Sequence, residues 1–157
     1  MLHELIRGHE CVALHDDDSQ MHFGMECLEY AYASLKQTVK AKEIIASKGQ
    51  EFTIQAGKCL AVATRNNDVV KQAQKLGFAL VIKKDPVIGH MNIKARPDVD
   101  IVLEDLYQAI IEQDTEGSWF YHNSGKMLIN GSRKHRNQKP TPLSLTQVVA
   151  MVKQIYS

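Results

Sequence analysis

The segment that decides the fold is "CLAVATRNNDVVKQAQKLGFALVIKKDP", residues 59–86. Two short and continuously apolar runs, 59–64 and 78–84, flank a stretch with helical periodicity that Gly77 closes. Apolar runs of this length, bounded by polar turns, are typical of buried strands. Two strands joined through a helix lie parallel in one sheet. The segment therefore predicts an α/β fold.

The sequence on both sides of this unit predicts the other elements. A long helix comes first, because acidic residues suit its start and Gly49 is a natural stop. Its predicted apolar stripe consists of Leu28, Ala31, Leu35, Val39 and Ile45. After the unit we predict a strand at 90–96, a helix at 103–113, a hairpin of 118–122 with 126–130, and a final helix with a Ser144–Gln147 capping box. The order is a long helix followed by βαββαββα, an α/β fold bordering on α+β, with helices packed on a mixed sheet of about five strands.

Length and composition bound the domain organisation and the compartment. A chain of 157 residues suits one domain. Its three cysteines are far apart, which argues against a disulfide framework and favours a reducing compartment. The first ten residues carry charge where a signal peptide is apolar, and no apolar run is long enough to span a membrane. We expect an irregular segment over 1–20 with a short helix near Leu2 to Ile6, a single α/β domain over 21–157, a cytoplasmic location and no membrane partner.

The charge is distributed unevenly along the chain. The formal net charge is +1, but Gly117 to the C-terminus has no Asp or Glu and six Lys or Arg residues, a net of +6. Residues 1–116 therefore carry 13 basic and 18 acidic side chains, a net of −5. This asymmetry favours an anionic ligand such as nucleic acid or a phosphorylated small molecule. The alternative is that the basic segment is neutralised by acidic neighbours within the domain.

Two groups of residues suit a phosphate. Lys94 and Arg96 are two residues apart on one strand and so point the same way. The turn from His122 to Lys126 offers backbone N–H groups, a hydroxyl and an ammonium, and its glycine allows close approach. The same small polar residue types return just before a base at Arg133. The predicted phosphate-binding residues are Lys94, Arg96, His122, Ser124, Gly125, Lys126, Asn130, Gly131, Ser132 and Arg133. The alternative is an ordinary hairpin turn with a structural histidine, followed by a solvated loop.

A metal site is the other candidate. His15, Asp16 and Asp18 are residue types that bind Mn or Mg. Consecutive residues project in different directions, however, so we favour the interpretation that these acidic residues stabilise the N-terminus of a helix. The chain has no G-x-S-x-G, Walker or G-x-G-x-x-G motif. No catalytic residue and no cofactor is predicted, and Mn or Mg is the expected metal only if the chain is catalytic.

The region from about Cys27 to the C-terminus resembles the C-terminal, DHH-associated region of DHH-superfamily phosphoesterases. The similarity is closest to the metal-dependent protein hydrolase branch, related to the melanocyte-proliferating-gene product. It is carried by residues 59–86, by "HMNIKARPDVDIVLEDL" and by "WFYHNSGKMLINGS". The resemblance implies substrate-binding roles for residues on the strand and in the turn: Arg96, His122, Ser124 and Gly125, and more loosely Lys94 and Lys126. The DHH triplet and the catalytic domain of that family have no counterpart in this sequence.

The predicted function is binding of a phosphate-bearing ligand, a nucleotide or a nucleic-acid end, as the substrate-binding module of a DHH-type phosphoesterase. Catalysis would then need a separate catalytic domain. Two alternatives stay open. One is a self-sufficient metal-dependent phosphohydrolase that uses the His15–Asp18 cluster. The other is a non-catalytic interaction or oligomerisation module, such as a homodimer, with the long helix as its partner surface.

Overall fold

The computed structural model describes residues 1–13, 16–131 and 137–157. The elements within these residues are α1 (Leu2–Val12), α2 (Asp17–Lys48), β1 (Gln50–Ile54), β2 (Gly57–Ala63), α3 (Asp68–Lys75), β3 (Leu80–Lys84), β4 (Met91–Ala95), α4 (Glu104–Gln113), β5 (Phe120–Tyr121), β6 (Met127–Asn130) and α5 (Leu145–Tyr156). The chain divides into two compact units, Met1–Lys40 and Ala41–Ser157. None of the helices in the described ranges combines the length and the apolar character that a membrane crossing requires.

The described strands form one mixed six-stranded sheet in the order β1-β2-β3-β4-β6-β5. The β2–β3 pair is parallel, with Cys59 opposite Leu80, as the strand–helix–strand segment predicts. The other neighbouring strands are antiparallel. The α/β fold and the mixed sheet are therefore confirmed.

The sequence prediction missed β1. β1 is an edge strand in which buried and exposed residues alternate, and only Phe52 and Ile54 are buried. It forms a hairpin with β2 in which Ile54 pairs with Gly57. Two buried residues in five give a weak periodic signal, and pairing with β2 is what completes the strand.

The two faces of the sheet are covered by different helices. On one face Ala61, Ile82 and Ile93 join residues of α4 and α5 in the larger core cluster. On the other face Leu60 and Val81 join Ala41 and Ile45 of α2, together with residues of α3, in a smaller cluster. The capping box of Ser144 and Gln147 starts α5 as predicted. The smaller cluster covers β2 and β3, and none of the described residues of the other strands belongs to it.

The N-terminal unit differs from the prediction in two respects. Where an irregular segment was expected over 1–20, α1 occupies Leu2–Val12, and α2 runs without a break through the predicted domain boundary at residue 20. Of the predicted apolar stripe, Leu28, Leu35 and Val39 are exposed and Ile45 is buried, and Ala41 is the other buried residue of α2.

Candidate phosphate-binding face

The side of β4 that turns away from α4 and α5 carries the predicted strand residues. Burial alternates along β4, so Met91, Ile93 and Ala95 enter the core while Asn92 and Lys94 are half-buried on the opposite side. We call this side of β4, β6 and β5 the open face. Its residues are Asn92, Lys94, Met127, Ile129 and Phe120, and none of them belongs to either core cluster.

The strand register arranges these side chains in two rows. In one row Asn92 pairs with Ile129, which pairs with Phe120. In the other row Lys94 pairs with Met127, whose carbonyl oxygen accepts a hydrogen bond from His122 N at 3.0 Å. Directly paired residues project on the same side of a sheet. The predicted strand and the predicted turn thus contribute neighbouring side chains to one surface.

Arg96 continues the basic side of β4. Its Nε donates to Asp98 Oδ1 at 2.5 Å, and its backbone N–H donates to Ala79 O at 2.8 Å. The hydrogen bond from Arg96 lowers the pKa of Asp98 below its usual value. Because this bond uses Nε, the terminal nitrogens of the guanidinium are left for a second acceptor. Arg96 follows β4, whose last residue is Ala95, and its placement beside Lys94 stays a prediction.

An aromatic pair lies at the other end of the open face. The Phe120 side chain is 48% exposed, although it is a large apolar group on a strand. The His122 ring meets it edge-on, with the ring centroids 6.3 Å apart and the planes at 80°. The exposed Phe120 offers a flat apolar surface on the edge strand β5, two strands from Lys94 on β4.

The hairpin turn is hydrogen-bonded internally. Ser124 N donates to His122 Nδ1 at 3.1 Å, Gly125 N to His122 O at 2.9 Å, and Lys126 N to Ser124 Oγ at 3.3 Å. His122 Nδ1 also lies 2.8 Å from Ser124 Oγ. The backbone N–H groups that the sequence suggested for a phosphate are thus occupied within the turn. Among the described residues, His122, Asn123 and Ser124 are the exposed residues of the turn.

Lys126 and Gly125 face the other side of the hairpin. Lys126 Nζ donates to the carbonyl oxygens of Val99 and Ile101, each at 2.6 Å. Gly125 is buried with a φ of 69°, and a Cβ there would lie 3.2 Å from Tyr121 Oη. Both residues therefore fasten the turn to the chain that precedes α4. The structure does not place them on the open face with Lys94.

Asn130 and Gly131, also predicted to bind phosphate, are buried. Asn130 Nδ2 donates to Ser118 O and to Lys139 O, each at 2.9 Å, and its Oδ1 accepts from Thr141 N at 2.9 Å. A Cβ on Gly131, which has a φ of 77°, would lie 2.5 Å from the His90 ring. These groups hold the chain together in the interior. The remaining predicted residues of the group, Ser132 and Arg133, lie outside the described residues.

The sequence did not reveal a buried polar cluster around Asp114. Asp114 Oδ2 accepts from Trp119 Nε1 at 2.7 Å and from Thr141 Oγ1, and Oδ1 accepts from two backbone N–H groups. Burial opposes ionisation, but these hydrogen bonds outweigh it and hold the pKa of Asp114 below its usual value. Lys84 Nζ donates to the Thr141 and Leu143 carbonyl oxygens nearby, and burial lowers the pKa of Lys84. The one sequence feature that could have pointed to this cluster is the position of Thr141 between two prolines.

A second unpredicted cluster lies where the parallel strands β2 and β3 end. Lys83 is buried and its Nζ donates to Asn67 Oδ1 at 2.6 Å. Arg65 Nε lies 3.8 Å from Asp85 Oδ2. Burial of Asp85 is outweighed by two backbone hydrogen bonds and by Arg65 and Lys83, so its pKa is lowered. Lys83 pairs with Asn92, so the cluster borders the open face. Ligands commonly bind at the carboxyl ends of parallel strands, and this rule could have found the cluster.

Two of the candidate metal ligands, Asp16 and Asp18, lie at the N-terminus of α2. Asp16 Oδ1 accepts from Asp18 N at 3.2 Å, the bond of a helix cap, and Asp17 and Asp18 occupy the first turn of α2. His15 lies outside the described residues. Among the residues that are described, no three His, Cys, Asp or Glu side chains come together in a way that could hold a metal ion.

In comparisons with known proteins, the chain matches no protein-family model and no curated protein sequence.

Proposed function

We propose that the chain binds a phosphate-bearing ligand, a nucleotide or a nucleic-acid end, on the open face. One observation supports the proposal: Lys94 shares a face of the sheet with the exposed Phe120, whose ring lies edge-on to that of His122. Guanidinium and ammonium groups suit phosphate oxygens, and an exposed aromatic ring suits a base. A nucleotide contains both partners in one molecule.

The spacing of the two halves fits such a ligand. β4 and β5 are separated by β6, so their backbones lie about 10 Å apart at two strand spacings. We expect the long side chain of Lys94 to extend over this surface from β4, with the Phe120 ring on the edge strand β5 opposite it. Single-stranded nucleic acids bind to sheets in this way: the nucleobases stack on aromatic side chains of the strands, and the phosphates contact basic side chains of the protein.

The proposal includes a role within a larger activity. As in the DHH-associated regions that the sequence resembles, the open face would hold the substrate while residues outside this surface perform catalysis. Arg133, Lys134 and Arg136 follow β6 in the sequence and add positive charge for a longer polyanion. Relative to the sequence prediction, the proposed contacts keep the side chains of Lys94, Arg96 and His122, add Phe120 and leave out the backbone of the turn.

The phosphate half of the proposal is tested by the salt dependence of binding. Affinity for a fluorescently labelled oligothymidine is measured by anisotropy across a salt series. Each phosphate contact in a single strand contributes a slope of about 0.7 in a plot of log K against log salt. We expect Lys94→Ala to reduce the slope by about this amount. Lys153→Ala, which removes the same charge from α5 beyond the other face of the sheet, is the matched control.

The base half is tested separately with Phe120→Leu. Base stacking on an aromatic ring contributes about 1–3 kcal/mol, so this variant should bind the oligonucleotide about tenfold more weakly. Competition by inorganic pyrophosphate should be unchanged, because it has no base. Unchanged oligonucleotide affinity in this variant would restrict the site to phosphate, whereas equal losses for the oligonucleotide and for pyrophosphate would mean that the substitution disturbs the phosphate site itself. Binding that ignores salt, or an equal effect of Lys94→Ala and Lys153→Ala, would refute the whole proposal.

Lys126 is unsuitable as a binding probe. Its ammonium donates to two backbone carbonyl oxygens, so its removal leaves both acceptors without this partner. We expect Lys126→Met to lower the free energy of unfolding by about 1–3 kcal/mol. Any loss of binding in this variant must therefore be read together with its stability.

A further inference from the structure

One side of α2 exposes a row of large apolar side chains. The residues, each between 53% and 68% exposed, are Met21, Met25, Leu28, Tyr32, Leu35 and Val39. None of the described residues of Met1–Lys40 is buried. A unit of this size without a core of its own usually needs oligomerisation, a metal or a disulfide. The row, which we call the seam, therefore requires an explanation.

The spacing of the seam has a 3.5-residue period. Successive members are four, three, four, three and four residues apart. This is the a and d pattern of a coiled coil, which keeps an apolar line facing a partner helix. The seam extends over about 27 Å of helix at 1.5 Å per residue.

The contacts of α1 are made to another side of α2. Gln20 Nε2 donates to Ile6 O at 3.0 Å, Gln20 Oε1 lies 2.6 Å from His9 Nδ1, and the His9 and Phe23 rings stack with their centroids 4.3 Å apart. Gln20 and Phe23 are not members of the seam. Thus α1 is not the helix that the seam fits.

We propose that the seam binds the same seam of a second copy of the chain, with the two α2 helices antiparallel. The seam is symmetric about residue 30, so that paired positions sum to 60. Met21 then lies opposite the partner's Val39, Met25 opposite the partner's Leu35, and Leu28 opposite the partner's Tyr32. An interface of this kind is isologous and closes as a dimer with two-fold symmetry.

The charges along α2 favour the antiparallel orientation. Residues 16–30 contain five carboxylates and no Lys or Arg, a net of −5, whereas residues 31–48 contain four lysines and one glutamate, a net of +3. An antiparallel pair places the acidic half of each helix beside the basic half of its partner. A parallel pair would place like charges together, which opposes association.

Two charged residues also define the ends of the seam. Asp18 lies three residues before Met21 and Lys42 three residues after Val39, so both continue the a and d pattern, and both are exposed. Their numbers also sum to 60. In the antiparallel dimer, Asp18 therefore faces the partner's Lys42 at each end of the apolar seam.

The existence of the dimer is tested by sedimentation velocity on the full chain across a dilution series. We expect a concentration-dependent dimer. Combined Leu28→Ser and Leu35→Ser should weaken it by more than about 100-fold, because four buried leucines are lost per dimer. Tyr30→Ser is the matched control: Tyr30 is on α2 and 68% exposed but is not in the seam. Wild type that is monomeric at every concentration, or a dimer that survives the double substitution, would overturn the proposal.

The orientation is tested by exchanging charges. Asp18→Lys should weaken the dimer about tenfold, because two lysines then face each other at each end. Adding Lys42→Asp should restore it. In a parallel dimer each residue faces the same residue of the partner. Like charges would therefore face each other at positions 18 and 42 in wild type and in both variants. Failure of the double variant to recover, with helix content by circular dichroism equal to wild type, would refute the antiparallel arrangement.

Discussion

Replacing Asp114 with alanine removes a buried acceptor that serves four donors. Asp114 is 4% exposed, and its oxygens accept from Glu116 N, Gly117 N, Trp119 Nε1 and Thr141 Oγ1. The two backbone donors lie near the surface, where water can replace the carboxylate. The two side-chain donors are buried or half-buried, and leaving such a group unpaired costs about 1–3 kcal/mol. We therefore expect the free energy of unfolding to fall by about 3 kcal/mol.

Urea unfolding measures this loss. Trp119 is the single tryptophan of the sequence, so its fluorescence reports on the unit that contains the cluster. With an m-value of about 2 kcal/mol per molar urea, the midpoint should fall by about 1.5 M. Far-ultraviolet circular dichroism should show the same transition. Glu116→Ala, which removes an exposed carboxylate two residues away, should change stability by less than about 0.5 kcal/mol.

The Asp114→Asn variant adds a test of charge. The folded state lowers the pKa of Asp114, so ionisation stabilises the fold at pH values above the unfolded pKa of about 3.9. This contribution is lost as the pH falls through the folded pKa. The stability difference between wild type and Asp114→Asn should therefore be constant from about pH 5 to 7 and shrink below about pH 4. A loss of less than about 1 kcal/mol for Asp114→Ala, or a difference that does not depend on pH, would refute the reasoning.

Three further outcomes follow from local geometry. Gly131→Ala should lower the free energy of unfolding by at least about 2 kcal/mol, because φ is 77° and a Cβ would meet the His90 ring; unchanged urea midpoints would contradict this. Gly24→Ala should stabilise the helical state of α2 by about 1 kcal/mol, because alanine has the higher helix propensity and a Cβ there meets nothing within 4 Å. Circular dichroism showing a loss of helix would count against this. Burial raises the pKa of Cys59 to about 11, so at pH 8 a thiol reagent should modify exposed Cys11 in the native protein and reach Cys59 on unfolding; prompt labelling of Cys59, located by peptide mapping, would disprove the burial argument.

Local patterns were sufficient for much of the fold. The parallel β2–α3–β3 unit follows from two apolar runs around a helical period, and the start of α5 follows from Ser144 and Gln147. These features depend on residues close together in the chain. The placement of Lys94 on the side of β4 opposite its buried residues also follows from strand alternation alone.

Local patterns were not sufficient for burial and hydrogen-bond partners. Leu28 and Leu35 belong to the apolar helical stripe that the sequence predicts, and both are exposed, because a stripe predicts that a face is apolar and does not say what covers it. Asn130 is of a residue type that is common in turns and ligand sites, but its amide is hydrogen-bonded to Ser118, Lys139 and Thr141 and so joins separate segments of the chain. Such contacts depend on which chain segments meet in three dimensions.

The sequence by itself determined an α/β chain with a basic C-terminal region and with Lys94 on the half-buried side of a strand. The tertiary structure decided which groups can meet a ligand there. It turned Lys126 toward the carbonyl oxygens of Val99 and Ile101, and it left Phe120 exposed on the face of Lys94. The physical reason is that side-chain direction alternates locally along a strand, whereas the register of β4, β6 and β5 fixes which side chains become neighbours.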